Sequence, residues 1–168
     1  MLEEGGAAPP LPTQSQKEAG MPEPNGTLEV FVALLTPRAI LPQKAHASDA
    51  GFDLAIPEDC VLPPHTSLQI DLGIAVQIPS GWYGQVFGRS SVFRRGLAVH
   101  PGVIDADYRG TVQLLVYNWL QVEQPLHRED RLAQLLFLPV PTVTLTTVPP
   151  DGLSRTMRGA GGVGSTGR

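Results

Sequence analysis

The residues best suited to chemistry lie in short polar segments, of which GVIDADYRG (102–110) is the most informative. Two carboxylates, Asp105 and Asp107, flank one alanine, and Tyr108 and Arg109 follow directly. A carboxylate in a loop can act as a general base toward water or as a ligand to a divalent cation. Asp also favours ordinary turns through hydrogen bonds to its own backbone, so the alternative for this segment is an Asp-rich turn.

A second segment, GRSSVFRRG (88–96), has the groups that bind phosphate. Arg89 stands beside two hydroxyls, Ser90 and Ser91. Arginine binds phosphate through two parallel hydrogen bonds, and serine hydroxyls can donate to the same group. The alternative is that the serines cap a short helix that carries a solvated basic face.

Two more segments combine acids with polar partners. ASDAGFDL (47–54) holds Asp49 and Asp53 around a glycine, and EDRLAQL (129–135) leads through Arg131 and Gln134 into an apolar run. The first is either a carboxylate site or the polar entry of a strand, and in the second Asp130, Arg131 and Gln134 lead into a strand. Histidines occur at 46, 65, 100 and 127 without metal-ligand spacing, so they are treated as incidental.

The string RGAGGVGSTGR (158–168) contains five glycines in eleven residues. It matches G-x-G-x-x-G, but a dinucleotide site also needs a preceding strand and a following helix, and a Walker A loop needs a lysine before Ser165. Consecutive glycine amides can still form an anion-binding nest, with a charge from Arg158 and hydroxyls from Ser165 and Thr166. The alternative is a frayed tail.

Composition and periodicity predict a β-rich domain that positions these segments. The chain has 18 Gly and 17 Pro in 168 residues, too many for a helical bundle, while its hydrophobic fraction of 42% is too high for wholesale disorder. Short apolar or alternating runs predict strands at 28–35, 67–72, 73–78, 82–87, 111–118 and 131–138. A short helix is predicted at 90–95, and a turn at 70–73 between paired strands, with Gly73 at positive φ.

The remaining global features set the expected organisation. Residues 1–26 hold five prolines and no aromatic residue, which predicts a disordered tail before a β domain at 27–150 and a flexible arm at 151–168. The net charge of −4 argues against stable nucleic-acid binding, and no apolar run is long enough to span a membrane. Cys60 is the single cysteine, and no targeting pattern is present, so a cytoplasmic or nuclear location is expected.

Taken in order, ASDAGFDL, GRSS, GVIDADYRG, EDRLAQL and RGAGGVGSTG resemble the five motifs of the trimeric dUTPases over residues 28–168. The GRSS form is similar to that of retroviral members. The resemblance implies an all-β, jelly-roll-like subunit in a homotrimer whose C-terminal arm is exchanged between subunits. It also implies hydrolysis of dUTP to dUMP and pyrophosphate with Mg²⁺, which limits uracil incorporation into DNA and supplies dUMP for dTMP synthesis.

The resemblance implies a role for each matched residue. Asp105 matches the general base, Tyr108 the ring beneath deoxyribose, and Asp53 the carboxylate that touches the water shell of magnesium. Backbone groups of the hairpin Val99–Asn118 are expected to read uracil. The other implied substrate contacts are Arg89, Ser90, Ser91 and Gln134 at the phosphates, Val99, Gly102 and Ile104 in the hairpin, and Arg158, Gly162, Val163, Gly164, Ser165 and Thr166 in the arm.

Two positions depart from the family pattern. Val163 stands where the fifth motif usually has an aromatic residue that stacks on uracil, and Glu129 replaces the glycine before the Asp-Arg of the fourth motif. The alternatives are a dUTPase fold kept as an interaction or regulatory module, which pyrophosphate release from dUTP would exclude, and a dCTP deaminase of the related fold, which ammonia release from dCTP would reveal.

Overall fold

The computed structural model describes residues 26–161, and within them the chain forms eleven strands and one short helix. Most strands follow one another through short turns, and the longest connection between strands runs from residue 35 to residue 51. Their bounds are β1 Phe31–Leu34, β2 Phe52–Ala55, β3 Cys60–Leu62, β4 Ser67–Asp71, β5 Ile74–Gln77, β6 Trp82–Gly88, α1 Ser90–Arg94, β7 Leu97–Val99, β8 Gly102–Ile104, β9 Gln113–Asn118, β10 Gln124–Leu126 and β11 Arg131–Pro139.

All the strand pairs are antiparallel, and they build four small sheets around one apolar core. A four-stranded sheet has the order β2-β11-β6-β8, and a three-stranded sheet has the order β4-β9-β7. The pairs β1-β5 and β10-β3 complete the described part of the fold. Along β9, Leu114, Val116 and Asn118 are buried while Gln113 and Leu115 are exposed, as expected for a strand with one face on the core.

The predicted all-β class is confirmed, and so are the short helix and the last strand. The helix occupies Ser90–Arg94, and the run at 131–138 forms β11, which is the longest strand and ends at Pro139. Gly73 does adopt a positive φ of 65°. The pairing predicted across that turn is wrong, because β4 pairs with β9 while β5 pairs with β1.

The predicted hairpin Val99–Asn118 is only partly correct. Its base is formed by β7 and β9, with Val99 opposite Val116. Between them the chain leaves the hairpin, because β8 pairs instead with β6 in the other sheet. Residues 102–112 therefore connect the two larger sheets, and the polar segment GVIDADYRG lies in this connection.

Beyond β11 the chain runs on without a strand from residue 140 to residue 161. Several large apolar side chains of this segment face solvent, and Leu145 and Met157 are almost fully exposed. Within residues 26–161, no helix is both long and apolar enough to cross a membrane.

Candidate functional site

One group of predicted site residues meets at an end of the four-stranded sheet. Gln134 on β11 lies opposite Asp53 on β2 and Phe87 on β6. Arg89 follows β6 directly, and its backbone N–H donates to the carbonyl of Leu132, which fixes the chain as it leaves the sheet. The strand register thus brings together segments that are more than 75 residues apart in sequence.

Two arginines share one carboxylate in this group. The Nη1 atom of Arg131 lies 3.1 Å from Oδ2 of Asp53, and Nη1 of Arg89 lies 3.5 Å from the same oxygen. The Asp53 side chain is only 16% exposed, so this pairing is shielded from water more than an ordinary surface ion pair. We call Asp53, Arg89, Arg131 and Gln134 the arginine cluster. Its two cations exceed its one anion, which leaves positive charge for an anionic ligand.

Gly51 explains how the first polar segment fits against the fourth. It is buried, and a Cβ added there would lie 2.8 Å from Oε1 of Gln134 and 3.1 Å from its Cβ. A larger residue would therefore displace the Gln134 amide. The glycine between Asp49 and Asp53 is thus required by the close approach of β2 to β11.

The hydroxyls of the second segment do not cap the helix. The N-cap of α1 is Arg89, and no side chain forms a capping hydrogen bond, so the serine-cap alternative is wrong. Ser90 and Ser91 are both exposed. Ser90 lines a cleft of about 350 Å³ together with Arg89, Phe93, Ala98 and Val99. This cleft joins the start of α1 to the base of the hairpin.

The segment 105–110, which we call the hairpin tip, is held by contacts within itself. The Tyr108 N–H donates to the Asp105 carbonyl at 3.1 Å. The Arg109 guanidinium donates to the carbonyls of Ala106 at 2.7 Å and of Tyr108 at 2.8 Å. The tip is therefore an ordered turn even though Asp105 and Tyr108 are exposed.

Asp105 itself is presented to solvent at the end of β8. Ile104, directly before it, is buried, and Gly102 lies opposite Val86 on β6. The Asp105 carboxylate forms no hydrogen bond or ion pair with the described residues 26–161. It is thus an acceptor held on a rigid turn and available to a water molecule.

The hairpin tip and the arginine cluster do not meet within one chain. Ile104 lies opposite Gly84 on β6, whereas Arg89 follows the far end of the same strand. At about 3.3 Å per residue, the five residues from Gly84 to Arg89 span about 17 Å. A single ligand would have to bridge this distance or contact two copies of the chain.

The C-terminal contribution is only partly described. Arg158 is exposed, and its Nε donates to the carbonyl of Gly161 at 2.9 Å. Gly159 has a φ of 52° and open space around its α-carbon. The remaining predicted arm residues, Gly162, Val163, Gly164, Ser165 and Thr166, lie outside the described residues, as do residues 1–25 of the tail predicted at 1–26.

The structure adds residues to which sequence reasoning gave no role. Arg131 was placed at a strand entry, but its guanidinium is the closest partner of Asp53. The sequence signal for Arg131 as a site residue is its position three residues before Gln134. A β-bulge between Arg131 and Ala133 interrupts the alternation of side chains along β11 and weakens that signal. Thr111 and Asp71 also support the hairpin tip, because the Thr111 carbonyl accepts a hydrogen bond from the Tyr108 hydroxyl and the Thr111 hydroxyl donates to Asp71. Neither contact has a sequence signal.

The single cysteine lacks the features of a nucleophile. Burial raises the pKa of the Cys60 thiol, and the carboxylates of Asp59, Asp130 and Glu58 raise it further. A raised pKa leaves less thiolate near neutral pH. Among residues 26–161, moreover, no three His, Cys, Asp or Glu side chains come together in a way that would hold a metal ion.

Comparison with known proteins identifies the family of this chain. A dUTPase family model matches residues 37–167. The deoxyuridine 5'-triphosphate nucleotidohydrolase of Mycobacterium marinum is 43% identical over 144 residues, which cover 81% of this chain and 93% of that protein.

Two solved phage structures are also similar. The Staphylococcus bacteriophage 80alpha dUTPase with dUpNHpp has a TM-score of 0.78 at 28% identity, over 84% of this chain and all of that one. A variant dUTPase from phage phi11 of S. aureus, solved to show the coordination of a structural Mg(II) ion, has a TM-score of 0.67 at 28% identity, over 71% of this chain and 96% of that one.

Proposed function

This chain belongs to the dUTPase family, and from that premise we propose that it hydrolyses dUTP to dUMP and pyrophosphate. The carrying observation is that the two halves of the site hold the residues this reaction needs. The arginine cluster offers positive charge for a triphosphate, and the hairpin tip offers a carboxylate and an aromatic ring. Phosphoryl transfer depends mainly on such positioning and charge stabilisation.

In this mechanism Asp105 acts as the general base. Its carboxylate accepts a proton from a water molecule while the water oxygen attacks the α-phosphorus of dUTP. The bond from the α-phosphorus to the bridging oxygen breaks, and pyrophosphate leaves. The ordered turn that holds Asp105 keeps the base in place for in-line attack.

Arg89, Arg131 and Gln134 bind the phosphates. The two guanidiniums are already oriented by Asp53, so they pay little entropy when a phosphate oxygen approaches. Ser90 and Ser91 add hydroxyl donors beside Arg89. Arg158, Gly162, Gly164, Ser165 and Thr166 close over the β- and γ-phosphates, with Val163 near the base.

The hairpin supplies selectivity for base and sugar. Backbone groups near Val99, Gly102 and Ile104 read the edge of uracil and leave no room for the methyl group of thymine. The Tyr108 ring packs beneath deoxyribose, where a ribose 2'-hydroxyl would collide with it. Tyr108 is 44% exposed, so it is accessible to a sugar ring.

The donor set fits Mg²⁺ bound mainly by substrate. Magnesium in nucleotide sites keeps several waters and takes most of its other ligands from phosphates, with one or two carboxylates nearby. Asp53 would be that carboxylate, because both of its arginine contacts use Oδ2 and so leave its other oxygen free of the arginines. When bound, the ion neutralises charge on the phosphates.

A homotrimer with sites between subunits explains the distance between the two halves. Along β6, about 17 Å separates Gly84, which lies opposite Ile104 just before the hairpin tip, from Arg89 of the arginine cluster, so the tip of one subunit would meet the cluster of another. The exposed apolar side chains of residues 140–161 would be covered by a neighbour as the arm crosses to it.

A pyrophosphate-release assay with Mg²⁺ across dUTP, dTTP, dCTP and UTP tests the proposed function. Release from dUTP alone is the expected result. Release from none of the four would contradict it. Release from UTP as well would contradict the role of Tyr108, and release from dTTP would contradict the role of the hairpin backbone.

For the cellular location we propose the cytoplasm or the nucleus, as the sequence predicts. No stable binding to nucleic acid is expected at a net charge of −4. Imaging of the tagged full chain in its own host tests the location, and a mitochondrial or membrane signal would contradict it.

A further inference from the structure

A line of hydrogen bonds connects the Tyr108 ring to the end of strand β4. The Tyr108 hydroxyl donates to the backbone carbonyl of Thr111 at 3.1 Å. The Thr111 hydroxyl in turn donates to Oδ2 of Asp71 at 3.0 Å. Asp71 is the last residue of β4, so the ring is connected through Thr111 to a strand of the other sheet.

Each link in this line is itself fixed. Oδ1 of Asp71 accepts the Gly73 N–H at 2.7 Å, which orients the carboxylate. The Gln113 amide donates to the Thr111 hydroxyl at 3.4 Å, so that hydroxyl is left to donate toward Asp71. The next residue, Val112, exchanges backbone hydrogen bonds with Leu72 and Ile74. The carbonyl that Tyr108 contacts therefore sits on a clamped segment.

Gly110 fixes the other side of the ring. A Cβ at this position would overlap the Tyr108 ring, with Cε2 only 2.9 Å away. The ring thus lies across the backbone of Gly110 with its hydroxyl fixed at Thr111. Because Tyr108 is 44% exposed, few packing contacts compete with these two constraints in setting the orientation of its ring.

From this arrangement we propose that Thr111 and Asp71 are positioning residues for Tyr108 and thereby set the discrimination between deoxyribose and ribose substrates. The inference rests on the proposed function, in which the ring lies beneath the sugar. A ring held in one orientation excludes a 2'-hydroxyl, whereas a ring free to tilt makes room for it. Neither residue is among the substrate contacts of the proposed function.

The test compares kcat/KM for dUTP with kcat/KM for UTP. Thr111→Val keeps the shape of the side chain and removes the donor to Asp71. We expect the dUTP/UTP ratio to fall about three- to tenfold, the usual worth of one hydrogen bond, through KM more than kcat. Thr111→Ser restores the hydroxyl and is expected to restore the ratio. Thr66→Val, which removes a hydroxyl bond to Pro63 far from the tip, is the matched control.

A double-mutant cycle shows whether Thr111 acts through the ring. Tyr108→Phe keeps the ring and removes its bond to Thr111. If Tyr108 and Thr111 act through the same line of hydrogen bonds, the double variant Tyr108→Phe with Thr111→Val lowers the dUTP/UTP ratio of kcat/KM no further than the larger of the two single changes. Fully additive effects would overturn the proposal. The Kd values of dUpNHpp and its ribose counterpart give the same ratio without turnover.

Tyr108→Ala separates failure of this inference from failure of the proposed function. If Tyr108→Ala lowers the ratio and Thr111→Val leaves it unchanged, the ring selects the sugar but Thr111 does not position it. If Tyr108→Ala also leaves the ratio unchanged, the proposed role of the ring is itself wrong. Thermal unfolding of each variant checks that the fold is retained.

Discussion

The arginine cluster and the hairpin tip hold their functional groups by different forces. In the cluster, three strands fix the backbone, and two guanidiniums share the shielded Asp53 carboxylate. In the tip, a short turn is tied by its own carbonyls and by Thr111, and its carboxylate faces solvent. Phosphate binding needs concentrated charge, whereas a general base needs a free lone pair beside water. The two environments match these different requirements.

Replacing the general base, Asp105, is expected to have the largest effect of any change in the hairpin tip. Asp105→Asn preserves size and the turn but removes the proton acceptor, so kcat is expected to fall by about 10²–10⁴. Binding of dUpNHpp should stay within a few-fold of wild type, because the cluster is intact. Steady-state kinetics and titration calorimetry measure the two effects. Full turnover in this variant would contradict the mechanism.

Arg89→Gln is expected to weaken phosphate binding by the arginine cluster. It removes a charged donor to phosphate while Arg131 still pairs with Asp53. Since hydrogen bonds to charged groups contribute about 1.5–3 kcal/mol, kcat/KM for dUTP is expected to fall about 10- to 100-fold. Arg94→Gln on the same helix is the matched control, because Arg94 is exposed and forms no ion pair with residues 26–161. Equal losses in both variants would contradict a specific role for Arg89.

Val163→Phe is expected to add a contact between the C-terminal arm and the uracil base that the hairpin holds. Stacking of a base on an aromatic ring contributes about 1–3 kcal/mol, so KM for dUTP is expected to fall at least about fivefold. Val163→Leu adds volume without an aromatic ring and is expected to have little effect. A leucine variant as good as the phenylalanine one would show that stacking is not the cause.

Glu129→Gly tests backbone strain beside the cluster. Glu129 has a φ of 72°, a conformation that glycine adopts without steric cost. Its replacement is expected to raise the free energy of unfolding by about 1 kcal/mol, measured by urea denaturation at fixed protomer concentration.

His65→Gly relieves a similar φ of 53° in another turn and serves as the control. It is expected to stabilise the chain without changing KM, whereas Glu129→Gly is also expected to lower KM, because a negative charge next to the phosphates is removed. If Glu129→Gly and His65→Gly have the same KM for dUTP, the negative charge of Glu129 does not affect substrate binding.

Within residues 26–161, the sequence predicted six of the eleven strands and the short helix, missed the short strands β2, β3, β7, β8 and β10, and predicted strand partners poorly. Apolar runs with turn residues at their ends marked β6, β9 and β11, because local patterning decides those strands. It placed β4 and β5 together across Gly73, although each pairs elsewhere, because register depends on contacts distant in sequence.

The same limit applies to the candidate site. The five motifs identified Asp53, Arg89, Asp105 and Gln134, since their order carries information that no single motif has. Arg131 as the partner of Asp53 and Thr111 as the support of Tyr108 are tertiary contacts without a local signature. The separation of the two halves along β6 could likewise be recognised only from the register of β6 with β8.

The central claim is that each active site combines the tip of one subunit with the cluster of another. Subunit mixing tests it directly. Asp105→Asn and Arg89→Gln chains are unfolded together in equal amounts, refolded, and assayed for pyrophosphate release at low dUTP. With random assembly, about one quarter of the sites receive an intact tip and an intact cluster, so activity should rise to about a quarter of wild type. Activity that stays at the mean of the two separately refolded variants would show that both halves act within one chain.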